Sequence, residues 1–489
     1  MLQPLILRPR GKIEPRSNER GFTMALVAMT MVAIISLAAL SIDIGTLYEA
    51  KAEAQRAADA AALTAARVIS ISGVTGDPTN AAGSWASACG GSTSQATLAA
   101  TNVAQQDLIG GVAPSTITVY YGTSGGVGTN TDCTAAGSAF GVNPVVQVIV
   151  KRTNLPVFFA RVFSLFNSTY SGSSVSATAT AEAFNPSGSS PMIPVNPRCV
   201  KPWMVPNENP RGSCTGTGCP SFVDTSTGSI TNPGTLAGNN GVIGETFDLS
   251  ADCLNTHRRK CHLINQTPQA QSSLPPPPNP SLQYVPAQTL SASVAIAANA
   301  KNINGCSQTP EDTNYWNAVA GCDQTTVYAC GNALANTVDL TSDNPGPPGN
   351  DSVNATQCLI NSGGSGPDNG QDVLAPDATP YTYPFQIQAG TKSALTKAGI
   401  TSGSQITSSP SIVTLPIYDQ NTPLIALSTT PVTVVGFLQV FINSATTNGT
   451  TATINVTVMN VVGCGNGSSP GPPVALGTSP VPIRLITPP

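Results

Sequence analysis

The sequence predicts an α+β protein: an N-terminal transmembrane helix continuing into a stem helix, a small α+β domain, then a β-rich disulfide-containing region with long loops. Three observations lead there. An uncharged apolar run of 22 residues, Gly21 to Ile42, passes directly into an alanine-rich stretch. Short alternating apolar segments recur downstream. All twelve cysteines lie after the apolar run, in a chain with 45 Gly and 42 Pro. Composition excludes other classes. Only 9% of residues are charged, against about a quarter in ordinary domains, and the net charge is −4. That leaves little to neutralise phosphates, so no nucleic-acid partner is expected. Proline is too frequent for a coiled-coil rod, and 40% hydrophobic residues argue against disorder throughout.

Each element follows in order. Residues 1–20 form a basic tail, with Arg8, Arg10, Lys12, Arg16 and Arg20 against Glu14 and Glu19. Residues 21–44 form the anchor. As a helix, its uncharged run spans roughly 33 Å, enough for a hydrocarbon core, whereas a signal-peptide core is about half as long. No small-x-small cleavage site closes it cleanly, so a retained anchor is favoured over a cleaved signal peptide. The positive flank places residues 1–20 in the cytoplasm and the bulk of the chain outside. Residues 45–69 form a stem helix. Ten alanines fall within 50–66, without Gly or Pro. Glu53, Arg56 and Asp59 are spaced for surface pairs. Ala50, Ala54, Ala57, Ala58, Ala61 and Ala65 form a small-residue stripe that serves either the helix's own domain or docking on another helix, including self-association.

Residues 70–185 read as an α+β domain. A loop holds Cys89. A helix over 95–109 carries Leu98, Val103 and Leu108 and stops at Gly110-Gly111. Strands follow at Ile117–Tyr121 and Val145–Lys151, a short helix at Pro156–Phe163, and a strand through Val175, Ala177, Ala179 and Ala181. Cys89 and Cys133 are the simplest disulfide pairing there. Residues 186–198 are a Pro-rich linker. Residues 199–489 form a β-rich region with strands at Ile412–Ile417, Val432–Ile442, Ala452–Val462 and Val481–Ile486. Val432, Val434, Leu438, Val440 and Ile442 are expected on one face. Cys199, Cys214, Cys219, Cys253, Cys261, Cys306, Cys322, Cys330, Cys358 and Cys464 are disulfide candidates whose connectivity stays open.

Little in the sequence supports catalysis. The two histidines, His257 and His262, lie in Cys253-x3-His257-Arg258-Arg259-Lys260-Cys261-His262. This set has zinc-ligand chemistry, but the adjacent Cys261-His262 is awkward geometry for one ion, and disulfides are favoured. Position 258 is Arg, so the haem-attachment string is broken. No Gly-x-Ser-x-Gly elbow and no phosphate loop occur. No cofactor and no catalytic residue is therefore expected.

One block of residues carries a family resemblance. Arg20-Gly21-Phe22 leads into the apolar run, which ends Ser41-Ile42-Asp43-Ile44-Gly45. Leu47-Tyr48 and Gln55-Arg56-Ala57-Ala58-Asp59-Ala60-Ala61-Ala62-Leu63 follow. This resembles the N-terminal segment of Flp pilus-assembly TadE/TadG-like proteins, TadG-related ones in particular, with Gly21, Asp43, Gly45, Tyr48, Ala58, Asp59 and Ala60 as motif positions. The resemblance implies a single-pass bacterial inner-membrane protein of the tight-adherence system, non-enzymatic, working with pilus-assembly proteins or pilus subunits. Two departures qualify it. The Asp-x-Ser-x-Ser metal motif carried by many TadG relatives is completed by neither Asp224-Thr225-Ser226-Thr227-Gly228 nor Asp248-Leu249-Ser250-Ala251-Asp252. Gly21-Phe22-Thr23-Met24 is similar to a prepilin-peptidase junction, but position 26 is Leu where a pilin carries Glu. A cleaved pilin-like subunit and a membrane-tethered periplasmic enzyme or ligand-binding protein are the alternatives.

Overall fold

In a computed structural model of the chain, the residues described are 19–76, 85–155, 159, 173–188, 195–210, 220–236, 241–251, 270–271, 280–287, 289, 314–331, 337–339, 350–362, 370–375, 384–419, 429–448, 451–464, 474–475 and 477–487. Anchor and stem are one helix, α1, over Glu19–Ile71. Its 53 residues correspond to about 80 Å. From Phe22 to Ala38 every residue is exposed. The hydroxyls in this stretch donate to the helix's own carbonyls, Thr30 Oγ1 to Leu26 O at 3.0 Å and Ser36 Oγ to Val32 O at 2.7 Å. Polar groups on the apolar surface are thereby satisfied without water.

The stem half of α1 is enclosed. Its alanine stripe is buried in a core shared with α3 (Gln95–Gln106) and with an antiparallel sheet. That sheet holds β1 (Thr116–Gly122), β2 (Val145–Leu155) and β3 (Ser173–Ala183). Val148 faces Val119 on one side and Ala179 on the other, setting the register. The stretch expected as a plain loop before α3 contains a short helix, α2 (Trp85–Cys89). It is held by the Cys89–Cys133 disulfide, with Cα atoms 5.5 Å apart, and by Trp85 packing on Phe140. Helix α3 ends at Gln106, earlier than expected. Gly110 and Gly111 have φ of 60° and 78° and form the turn after it rather than its cap. Its buried side is Ala96, Ala100 and Ala104, leaving Leu98 and Leu108 exposed. Small side chains win that face because they let α3 approach α1 closely. The helix expected at 156–163 lies outside the described residues, Phe159 excepted.

The second region is a closed barrel. Its six strands are β4 (Trp203–Pro206), β5 (Thr246–Ala251), β6 (Ser281–Pro286), β7 (Ile412–Tyr418), β8 (Val434–Asn448) and β9 (Thr451–Gly463). They pair in the order β4-β7-β8-β9-β5-β6, and β6 returns to β4. The β4–β7 and β5–β6 pairs are parallel and the rest antiparallel. Alternate residues fill the interior: Trp203 and Val205, Phe247 and Leu249, Leu282 and Tyr284, Leu415 and Ile417, Leu438 and Val440, Val456 and Val458. Such a small barrel is a packed core, with side chains taking up its interior. The β8–β9 register shifts between Gln439 and Val440 and again between Ile442 and Ser444, and bulges of this kind bend long strands toward closure.

Two expectations are corrected here. Val432, Val434, Leu438, Val440 and Ile442 do not share a face. A register irregularity opposite Ile417/Tyr418 puts Val432 and Val434 with Phe437 in a cluster outside the barrel, while Leu438, Val440 and Ile442 point inside. The last predicted strand, observed as β10 (Ile483–Ile486), joins the first sheet rather than the barrel, with Leu485 opposite Ala181 on β3. Arg484 reinforces this pairing, 2.5 Å from Glu182 and over the Phe184 ring.

Candidate membrane-stem site

The residues that carry the resemblance all lie on α1. Gly21 belongs to its first turns. Asp43, one residue beyond the uncharged run, is buried, and its Oδ2 accepts the backbone N–H of Phe159 at 3.0 Å. A carboxylate at the edge of an apolar stretch needs such a charge-assisted donor. Gly45 is exposed, and a methyl group added there would meet nothing within 4 Å. Tyr48 projects outward. Ala58 is fully buried, and Asp59 and Ala60 are half-buried.

Polar side chains flanking the alanine stripe tie α1 to the sheet. Lys51 Nζ donates to Ser176 O, and Gln55 Nε2 donates to Thr178 O at 3.2 Å and to Asp59 Oδ1 at 2.8 Å. Glu53 Oε2 accepts the Gly110 N–H at 2.7 Å. Glu53 and Asp59 therefore bind a loop amide and a neighbouring amide side chain rather than forming the expected pairs with Arg56. The small-residue stripe is covered by the chain's own domain, so it offers no free face to another helix.

At its far end α1 meets the barrel through a buried polar cluster. Asn460 on β9 donates from Nδ2 to Ser70 O at 2.7 Å and to Gln439 Oε1 at 2.6 Å, and its Oδ1 accepts from Thr75 Oγ1 at 2.6 Å. Gln439 donates to Ser479 Oγ at 2.7 Å, and Asn185 donates to Thr75 O at 3.1 Å. All six residues are buried. Phe441 and Met459, on the barrel's outer surface, belong to the same core as the stem alanines. A small sheet adds Phe385 and Ile387 to that core, with the Phe385 N–H donating to Ser72 O at 3.0 Å.

The other residues singled out are dispersed. Cys199 bonds Cys322, Cys330 bonds Cys464, and Cys358 is disulfide-bonded. Cys214, Cys219, Cys253, Cys261, Cys306, His257 and His262 lie outside the described residues. Asp224 occupies a turn, accepting from Ser226 N at 2.8 Å and Ser226 Oγ at 2.7 Å, bonds that hold its carboxyl below the usual range. Asp248 lies on a barrel strand and accepts from Asn455 at 2.6 Å. Among the described residues no group of three His, Cys, Asp or Glu is placed to hold a metal ion.

Sequence reasoning missed Lys201. It is buried, and its Nζ donates to Val319 O at 2.8 Å and Gly321 O at 2.5 Å, at the end of the helix α4 (Asn314–Ala320). Burial pushes its ammonium down to about 7. Its neighbours, Val200 and Pro202, mark an apolar context, but the acceptors come from more than a hundred residues away.

Residues 21–68 match a family model described as Flp pilus-assembly TadE/G-like. Comparison with curated proteins and with solved structures found no match. The matched stretch covers the apolar run, Asp43, Tyr48 and the alanine stripe, and ends before the Ser70 contact to the barrel. Helix α1 is long and apolar enough to cross a membrane.

Proposed function

We propose that this chain is a membrane-anchored, non-enzymatic component of Flp-type pilus assembly or of surface attachment by such pili. The carrying observation is the coincidence of the family-matched segment 21–68 with a single helix whose first half is bare and apolar and whose second half is the core of a folded body. In this reading the basic tail stays in the cytoplasm, α1 crosses the bacterial inner membrane once, and the body presents its surface to pilus subunits or the envelope. The fixed helical connection supports a role in positioning. From Ala50 onward the stem half of α1 is part of the body's own core, so the body is joined rigidly to the helix that crosses the membrane. The disulfides suit an oxidising compartment.

Deletion of the gene, followed by counting pili and measuring surface attachment, tests this directly. Reduced pili or attachment, restored by the full chain, is expected. Normal piliation and adhesion in the deletion strain would refute the proposal.

A further inference from the structure

The body reaches down α1 into the uncharged run itself. Ala39 lies inside that run and is buried, as is Asp43 one turn further on, while Leu40, Ile42 and Ile44 around them are exposed. The hairpin of β2 and β3 runs along the same helix. Ser176 contacts Lys51 and Thr178 contacts Gln55, so lower-numbered residues of β3 lie nearer the apolar half of α1. Phe159, four residues after β2, is held at the level of Asp43 by its N–H. Phe159 nevertheless leaves its ring 46% exposed, and Tyr48, about 7.5 Å further along α1, is 74% exposed. The connection between the strands, residues 156–172, contains four of the chain's 12 phenylalanines and one charged residue, Arg161.

We propose that the body contacts lipid where α1 leaves the membrane, with Phe159, together with Tyr48 of α1, in the interfacial layer of the bilayer that α1 spans. The inference rests on α1 crossing the membrane and goes beyond it, because it gives the body a second, non-helical contact with the leaflet on its own side. Aromatic rings are favoured at this depth, where an apolar face and a polar surrounding meet. Two contacts at different radii from the helix axis fix tilt and rotation, which a single helix leaves free.

The full chain, reconstituted in vesicles of phosphatidylcholine brominated at shallow or deep acyl positions, tests the idea. The three native tryptophans are buried, so the added emission of Phe159→Trp is read by difference from the parent. The Asp43 bond uses the backbone of residue 159 and survives the substitution. The expected result is a blue-shifted band, quenched most by shallow bromines and unchanged when protein is diluted in lipid; Tyr48→Trp should behave alike. A band quenched by aqueous iodide and indifferent to bromines would overturn the proposal. So would a blue shift that disappears on dilution, since that identifies a second copy as the cover. Ile34→Trp, in the middle of the apolar half of α1, separates the two levels. Strong deep quenching there with none at position 159 refutes only the surface contact. No quenching at position 34 refutes the spanning helix and this inference together.

Discussion

At Asn460 a single amide joins the end of α1 and the turn after it to the barrel strand β8, across separations of 385 and 390 residues. Truncation there leaves Ser70 O, Gln439 Oε1 and Thr75 Oγ1 without a partner in a buried site, and each such loss costs about 1–3 kcal/mol. Asn460→Leu should therefore lower unfolding stability by at least about 3 kcal/mol, measured by denaturant titration of the intact chain in detergent. A change within experimental error would show that the cluster does not tie helix to barrel. Lys201 gives a pH test. Its folded value of about 7 lies below the ordinary lysine value of 10.5, so the unfolded chain binds the extra proton between them. Its contribution is complete above the unfolded value and is lost as pH falls toward 7. Stability relative to Lys201→Met should rise between pH 7 and 9 with a slope approaching ~1.4 kcal/mol per pH unit. A flat difference would place the charged ammonium in the folded state. Neither residue was visible in the sequence as a functional position. A lone Asn in a strand and a lone Lys before a Pro acquire meaning from partners that lie 390 and 118 residues away.

For the elements, the stem helix, the start of α3 and the strand positions near the N-terminus were legible because local rules dominate there, whereas α2 and the end of α3 were not. Alanine content and the lack of Gly or Pro dictate the stem, and strict alternation dictates β1 and β3. Which face of α3 would be buried was not legible. Leu98 and Leu108 look like core residues, but the partner helix presents alanines, and the close approach goes to Ala96, Ala100 and Ala104. The same tight packing makes a prediction for α1. Ala61→Leu inserts three carbons where no space exists and should cost about 1–3 kcal/mol. Gly45→Ala, facing open space, should be neutral or stabilising by up to about 1 kcal/mol. Thermal unfolding of both variants checks this contrast, and equal effects would contradict the enclosure of the stem. The pair of cysteines pinning α2 closes a 44-residue separation. Cys89→Ser with Cys133→Ser should cost about 4 kcal/mol on chain-entropy grounds, read as a lowered denaturation midpoint.

Across the whole molecule, the α+β character and the family resemblance of residues 21–68 were legible, and the barrel closure was not. Closure depends on the parallel pairs β4–β7 and β5–β6, and the β4–β7 partners lie some two hundred residues apart in sequence. No periodicity records such a pairing. The destination of β10 was hidden for the same reason: its alternating pattern fits either sheet, and only the packing of Arg484 on Glu182 and Phe184 decides. Removing residues 483–489 should raise amide exchange along β3, about three hundred residues earlier, while leaving the barrel strand β9 protected. Unchanged exchange in β3 would show that the sheet stands without its last strand.

That placement of β10 also sets an order of events. A chain made from its N-terminus presents α1, β1, β2 and β3 early, but β3 keeps an unpaired edge until residue 486 has emerged. Unpaired edges invite wrong partners. Contacts of such sequence separation also form slowly. In the proposed membrane-anchored reading, α1 keeps the early part of the body beside the membrane until residues 483–486 have emerged, and a neighbouring copy at the same stage is the nearest strand available to fill the gap.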